Sequence, residues 1–241
     1  VREANMLSGD LAAVTRAALA HRLETIQLRV FHPLQFMLAS PEPTAEAILT
    51  RFAERAAPAS ASSVASVPFS PPSVTVWLEE KYDGIRCQLH KSGERAELYS
   101  RDLKRITAQF PELAQAAARL PHDFIVDGEL LAWREGRALP FAELQKRLGR
   151  KGDDFFLGAE IPVSISFYDL LWLDGRPLLK EPLTTRRALL ADLFNTSASA
   201  HPPFVLAPVQ HAHTALEIEA AFLAARQRGN EGLIAKDPAS P

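Results

Sequence analysis

The chain has 241 residues, 47% hydrophobic and 23% charged, with a formal net charge of -2. That balance fits a folded globular protein of one large domain, or a domain plus a piece of another; it argues against a polybasic nucleic-acid-binding segment, although a local basic face is compatible with a neutral total. A single cysteine, Cys87, excludes an internal disulfide and a cysteine-based zinc site, and no apolar run is long enough to span a bilayer.

Residues 9–28 read as a helix, with Asp10 as cap and Leu11, Val14, Ala18 and Leu19 as an apolar stripe. The segment around residues 31–40 is extended and ends near Pro41. Pro43 opens a second helix that runs to about Ala56, with Ile48, Leu49 and Phe52 on one face. Residues 57–73 are rich in Ala, Ser and Pro, a composition that packs no core and reads as a flexible loop.

Past Ser73 the pattern becomes that of a sheet. Residues 74–81 form a strand. Residues 85–90 form another, with Ile85, Cys87 and Leu89 on one face and Arg86, Gln88 and His90 on the other. A turn at residues 91–94 leads to a strand at 96–100, giving an antiparallel meander. Then come a helix at 111–120, a strand at 124–133 broken by Gly128, a helix at 141–148 and a charged loop at 149–158. A strand at 163–173 closes on the Asp174-Gly175 turn. A helix at 184–194, a strand at 204–209, a helix at 214–228 ended by Gly229, and a strand at 232–236 complete the pattern. Strands and helices do not alternate strictly, so the expected class is α+β with largely antiparallel sheets rather than a doubly wound fold.

Five segments carry chemistry. In Glu79-Glu80-Lys81-Tyr82-Asp83-Gly84-Ile85-Arg86 a lysine closes a strand before an Asp-Gly turn, with an arginine five residues on. That places an amine at the rim of a sheet, where it can serve as a nucleophile toward phosphate; the plain alternative is a hairpin with an exposed lysine. The others are Ser100-Arg101-Asp102, Asp127-Gly128-Glu129, Ser166-Phe167-Tyr168-Asp169 and Asn230-Glu231-Gly232 running on to Lys236. Acids inside apolar strands are costly unless paired, hydrogen-bonded or on a metal. Singly, each has a structural reading: Asp127 accepting backbone N–H groups, Asp169 pairing with an arginine, Glu231 capping. Glu231 and Lys236 differ in strand parity, so Glu231 must lie in a bend before the strand, or a bulge must intervene.

Taken in order, Glu-Lys-Tyr-Asp-Gly-Ile-Arg, Ser-Arg-Asp, Asp-Gly-Glu-Leu, Phe-Tyr-Asp-Leu-Leu and Glu-Gly-Leu-Ile-Ala-Lys resemble the ATP-dependent polynucleotide ligases of the covalent lysine nucleotidyltransferase superfamily. Met6-Leu7-Ser8-Gly9-Asp10-Leu11 and Phe31-His32-Pro33-Leu34 are similar to the end of the helical DNA-binding domain of bacterial and archaeal DNA ligases. The resemblance implies a remnant of that domain over 1–38, and over 39–241 an adenylation (nucleotidyltransferase) domain of largely antiparallel sheets with flanking helices, an ATP-grasp-like ligase core.

It also implies roles. Lys81 attacks the α-phosphate of ATP as the unprotonated amine, forming lysyl–AMP and releasing pyrophosphate, and the adenylyl group passes to the 5′-phosphate of a DNA nick. Arg86 and Arg101 contact phosphate or ribose through bidentate guanidinium bonds. Glu79 reads the adenine amino group. Tyr168, a position often Phe in the family, stacks on the adenine. Glu129 binds ribose hydroxyls or a metal, Glu231 holds Mg²⁺ (or Mn²⁺), and Lys236 neutralises phosphate charge. The implied partners are ATP and nicked double-stranded DNA, with no membrane, an intracellular location by default and a monomeric state.

Two expected parts of the family pattern are missing: a further lysine motif beyond Lys236 and an OB-type barrel. With a start at Val1, the chain reads as a fragment impaired in full ligation. The competing readings are an RNA ligase or capping-type nucleotidyltransferase, and a catalytically inert nucleotide- or nick-binding module. NAD⁺ is the less expected adenylate donor.

Overall fold

The computed structural model describes residues 2–56, 74–148, 161–195 and 203–241. The expected loops at 57–73 and 149–158 lie outside the described residues. The elements in chain order are helices α1 (Arg2–Ser8), α2 (Leu11–Leu19) and α3 (Ala45–Ala56), then strands β1 (Val76–Lys81), β2 (Ile85–Ser92) and β3 (Arg95–Ser100). Helix α4 (Pro111–Ala118), β4 (Phe124–Arg134), β5 (Arg137–Ala138) and α5 (Phe141–Leu148) follow. The rest are β6 (Val163–Leu173), β7 (Arg176–Pro177), α6 (Leu183–Asn195), β8 (Phe204–Leu206), β9 (Val209–Ala212), α7 (Ala215–Gln227) and β10 (Gly232–Lys236). Among the described residues no helix is long and apolar enough to cross a membrane.

The class is α+β, as expected. The single helix expected over 9–28 is corrected: α2 stops at Leu19, and only a short 3-10 turn, Leu23–Thr25, follows. The stop is a left-handed cap. His21 takes φ +52°, its N–H donates to the Ala18 carbonyl, and the Arg22 N–H donates to the Ala17 carbonyl at 2.8 Å. Asp10 does cap α2, accepting from the Ala13 N–H at 3.0 Å. The expected apolar stripe is not a buried one: Val14 is 1% exposed, but Leu11 and Leu19 are 66% and 79% exposed. The strand expected over 204–209 is likewise two strands. Ala207-Pro208 separates β8 from β9, because proline cannot donate to a ladder.

The described chain forms two compact units, one of Val1–Leu38, Asp83–Leu206 and Pro241, the other of Ala39–Tyr82 and Ala207–Ser240. The first unit carries a sheet in the order β3-β2-β4-β6-β7, antiparallel along that path, with β8 parallel to β6 and β5 on β4. Its core lies on one sheet face: Cys87, Leu89, Val126, Leu130, Ile165 and Phe167 pack with Leu113 of α4, Leu144 of α5 and Leu190 of α6. Burial there pushes the Cys87 thiol well above its ordinary pKa.

The opposite face of β2, where strand alternation puts Arg86, Gln88 and His90, is also buried at one end. Gln88 and His90 are fully buried and hold the 31–34 segment. The Phe31 N–H donates to His90 Nδ1 (2.9 Å), the Leu34 N–H donates to Gln88 Oε1 (3.1 Å), and Gln88 Nε2 donates to the Leu34 carbonyl (2.7 Å). With Nδ1 accepting, Nε2 carries the proton and faces Gln88 Oε1 at 3.2 Å. Leu28 and Leu34 complete this layer against Ile125 and Leu171.

The second unit has a sheet of order β10-β1-β9 among the described residues, all antiparallel. Val76, Leu78 and Ala212 face α3 and α7, meeting Ala45, Ile48, Leu49 and Phe52 of the former and Ile218 and Ala221 of the latter. Helix α7 starts with a capping box: Thr214 accepts from the Glu217 N–H and the Glu217 side chain accepts from the Thr214 N–H.

Candidate active site

Period-2 alternation in β1 fixes which groups the second unit presents. Val76 and Leu78 are buried against the helices, so Trp77, Glu79 and Lys81 take the other face. Trp77 stacks on its cross-strand partner His211, with ring centroids 5.6 Å apart. Strand β10 adds Lys236 to this face, opposite Trp77 in the register. Lys236 Nζ lies 2.6 Å from a Glu79 carboxylate oxygen, and Glu79 is 1% exposed.

Lys81 ends β1 and is half-exposed. Its ammonium is ion-paired with Glu231, which is also partly exposed. Glu231 precedes β10 rather than lying in it. Its N–H donates to the Lys81 carbonyl at 2.8 Å, and Gly232 follows at φ +147°, a conformation suited to glycine. The bend required by the parity of Glu231 and Lys236 is therefore present. On the helix-facing side, Glu80 is held by Arg228 and by Asn230, whose Nδ2 donates at 2.6 Å.

In the first unit, β4 turns Val126, Leu130 and Ala132 into the core and so turns Asp127 and Glu129 to the other face. Arg86 of β2 is the cross-strand partner of Glu129, and Ser166 of β6 partners Glu129 from the other side. Phe167 enters the core and Tyr168 takes the opposite side, next to a register shift in the β4–β6 pairing. Arg86 donates from Nε to Asp127 Oδ1 at 2.7 Å and from Nη2 to Asp127 Oδ2. Its guanidinium carbon lies 4.9 Å from the Tyr168 ring centroid and 5.7 Å from that of Phe36. Burial by itself would lower the Arg86 pKa; the charge and hydrogen bonds of Asp127, together with the charges of Tyr168 and Glu129, outweigh it and raise the pKa above its ordinary value.

The structure thus groups the expected residues as Lys81 with Glu231, Glu79 with Lys236, and Arg86 with Tyr168 and Glu129. Arg101 is exposed in the turn after β3, outside the contacts that join Arg86 to Asp127, Tyr168 and Phe36. Sequence reading missed the Arg86–Asp127 fork and Phe36. Asp127 accepts from a guanidinium rather than from backbone N–H groups. Asp169 does pair with an arginine: Arg186 Nε donates to it at 2.8 Å. Among the described residues no three His, Cys, Asp or Glu side chains cluster as a metal cage.

The model of the ATP dependent DNA ligase domain matches residues 37–241. The whole chain is 66% identical to a "Probable DNA ligase" of Opitutus terrae, of which it covers 27%. Over 98% of its length it is 38% identical to a "Probable DNA ligase" of Koribacter versatilis, covering 41% of that protein. The chain therefore spans less than half the length of these curated relatives. Among solved structures it resembles the mycobacterial DNA ligase D complexed with ATP and MES, with 28% identity, 69% of this chain and 49% of that one covered, and a TM-score of 0.55. The ligase domain from M. tuberculosis LigD matches at 28% identity and a TM-score of 0.54, over 69% of this chain and 50% of that one.

Proposed function

This chain belongs to the family of ATP-dependent DNA ligase domains, and on that premise we propose that it carries the adenylation step of nick sealing, with Lys81 as the covalent nucleophile. The observation that carries the reading is the pairing of Lys81 with Glu231 at the end of β1. A strand-end amine is rigidly placed yet half-exposed, as a nucleophile toward a bound phosphate must be. Exposed ion pairs contribute about 0–1 kcal/mol, so little opposes release of the lysine for reaction.

In the proposed step the Lys81 nitrogen, having lost a proton, attacks the α-phosphorus of ATP in line. A P–N bond forms, the bond to the bridging oxygen breaks, and pyrophosphate leaves. Glu79 accepts from the adenine amino group, and Glu129 binds the ribose hydroxyls or a metal. Tyr168 stacks on the base, while Arg86, Arg101 and Lys236 hold phosphate or ribose oxygens. Glu231, freed from Lys81, would be the carboxylate that holds Mg²⁺ or Mn²⁺, an ion that would neutralise charge on the phosphates. The longer protein would then pass AMP to the 5′-phosphate of nicked duplex DNA. We place it as an intracellular monomer on this reading.

The test is incubation of the chain with α-labelled ATP and Mg²⁺, followed by denaturation. A label that survives denaturation and disappears in Lys81→Ala supports the proposal. ATP binding with no covalent label would leave an inert nucleotide-binding module. Labelling from NAD⁺ or GTP in preference to ATP would also overturn it.

A further inference from the structure

We propose that Asp127 is a positioning residue for nucleotide recognition: its carboxylate fixes the Arg86 guanidinium beside the Tyr168 ring, so that the arginine meets the phosphate in one orientation. This rests on the adenylation reading above and extends it to a residue with no assigned role. The geometry is specific. Asp127 takes the Nε and Nη2 edge of Arg86 in a two-point fork. A guanidinium has five N–H donors in a plane, so this side-on grip leaves the Nη1/Nη2 end for a second bidentate acceptor such as a phosphate. Tyr168 at 4.9 Å and Phe36 at 5.7 Å accompany the same group, so its plane as well as its edge is constrained.

Stability alone is a poor reason for this arrangement. The Arg86 and Asp127 side chains are only 27% and 13% exposed, and a buried ion pair is often no more stabilising than well-packed apolar residues in its place. What the pair supplies that an apolar pair cannot is a fixed, charged fork. Holding Arg86 in place before the nucleotide arrives removes the ordering of a long side chain from the cost of binding.

The experiment is calorimetric titration of the intact chain with AMP and, separately, with adenosine, in the parent, Asp127→Asn, Arg86→Gln and the double variant. In the parent, AMP binds more tightly than adenosine. Asp127→Asn is close to isosteric and weakens AMP about tenfold while changing adenosine less than about twofold, because only the phosphate contact depends on the fork. Arg86→Gln gives a loss of the same kind, and the double variant adds little to it. Asp127→Glu keeps the charge and recovers part of the AMP affinity. A general loss of structure would weaken both ligands equally and would overturn the inference. Parent-like AMP binding by Asp127→Asn, or additive losses in the double variant, would also overturn it while leaving the adenylation reading intact. A parent chain that binds neither ligand removes that reading, and this inference with it.

Discussion

Lys236 reaches diagonally across the β1–β10 pair to Glu79, closing to 2.6 Å on a carboxylate that is 1% exposed. A buried carboxylate is tolerated because a cation accompanies it, and removing only the cation leaves the charge behind. Lys236→Ala is expected to lower unfolding free energy by about 3 kcal/mol. The joint change Lys236→Met with Glu79→Leu should cost less, since no charge stays buried. Urea unfolding checks both; a single-variant loss under about 0.5 kcal/mol would show that the pair does not matter to the fold.

Gly84 and Gly128 each lie against a neighbouring strand's backbone. A Cβ on Gly84 would meet the Leu130 carbonyl oxygen at 2.6 Å, and one on Gly128 would meet the Ser166 carbonyl oxygen at the same distance. Backbone in a sheet cannot step aside as a flexible side chain can. Either glycine changed to alanine should destabilise the first unit by about 1–3 kcal/mol. Melting temperatures equal to the parent's for both variants would contradict this.

His90 is fully buried, and burial holds its pKa down to about 3 from 6.5. The unfolded chain therefore binds a proton that the folded chain refuses between those values. Unfolding free energy should fall as pH drops from about 6.5 toward 3, by at most about 1.4 kcal/mol per pH unit from this group. The window from pH 6.5 to 5 lies above the ordinary carboxylate range, so it isolates the histidine contribution. His90→Gln should flatten the dependence there; an unchanged slope would refute the assignment.

Thr214 and Glu217 satisfy each other's backbone N–H groups at the start of α7, and the His213 and Thr214 N–H groups that donate to the exposed Glu217 carboxylate draw it below its ordinary pKa. Thr214→Ala should cost about 1 kcal/mol of stability. Helix α7 packs on β1 and β10, so the loss should appear in amide exchange across Gly232–Lys236 as well as in the helix. Protection confined to its parent level in β10 would argue against that coupling.

Much of the candidate site was legible along the chain. The order of the motifs that hold Lys81, Glu129, Tyr168 and Lys236 led to the ligase family, and strand parity required the bend that Gly232 supplies before β10. The helix over 9–28 was misread because a left-handed cap at His21 carries no glycine to announce it. The burial of Gln88 and His90 was not legible because they find backbone partners in a segment more than fifty positions away, a contact that no local pattern contains.

Residue type and spacing determined which side chains are candidates: a lysine at a strand end, acids in apolar strands, an arginine five places on. They did so because alternation and turn chemistry are local. Which of these groups meet was decided only by the tertiary structure. The register of β2 on β4 and the irregular pairing of β4 with β6 give Arg86 both Asp127 and Tyr168, and the register of β1 on β10 gives Glu79 to Lys236. Ion pairs form across strands, and their partners follow from a ladder offset that no stretch of sequence states.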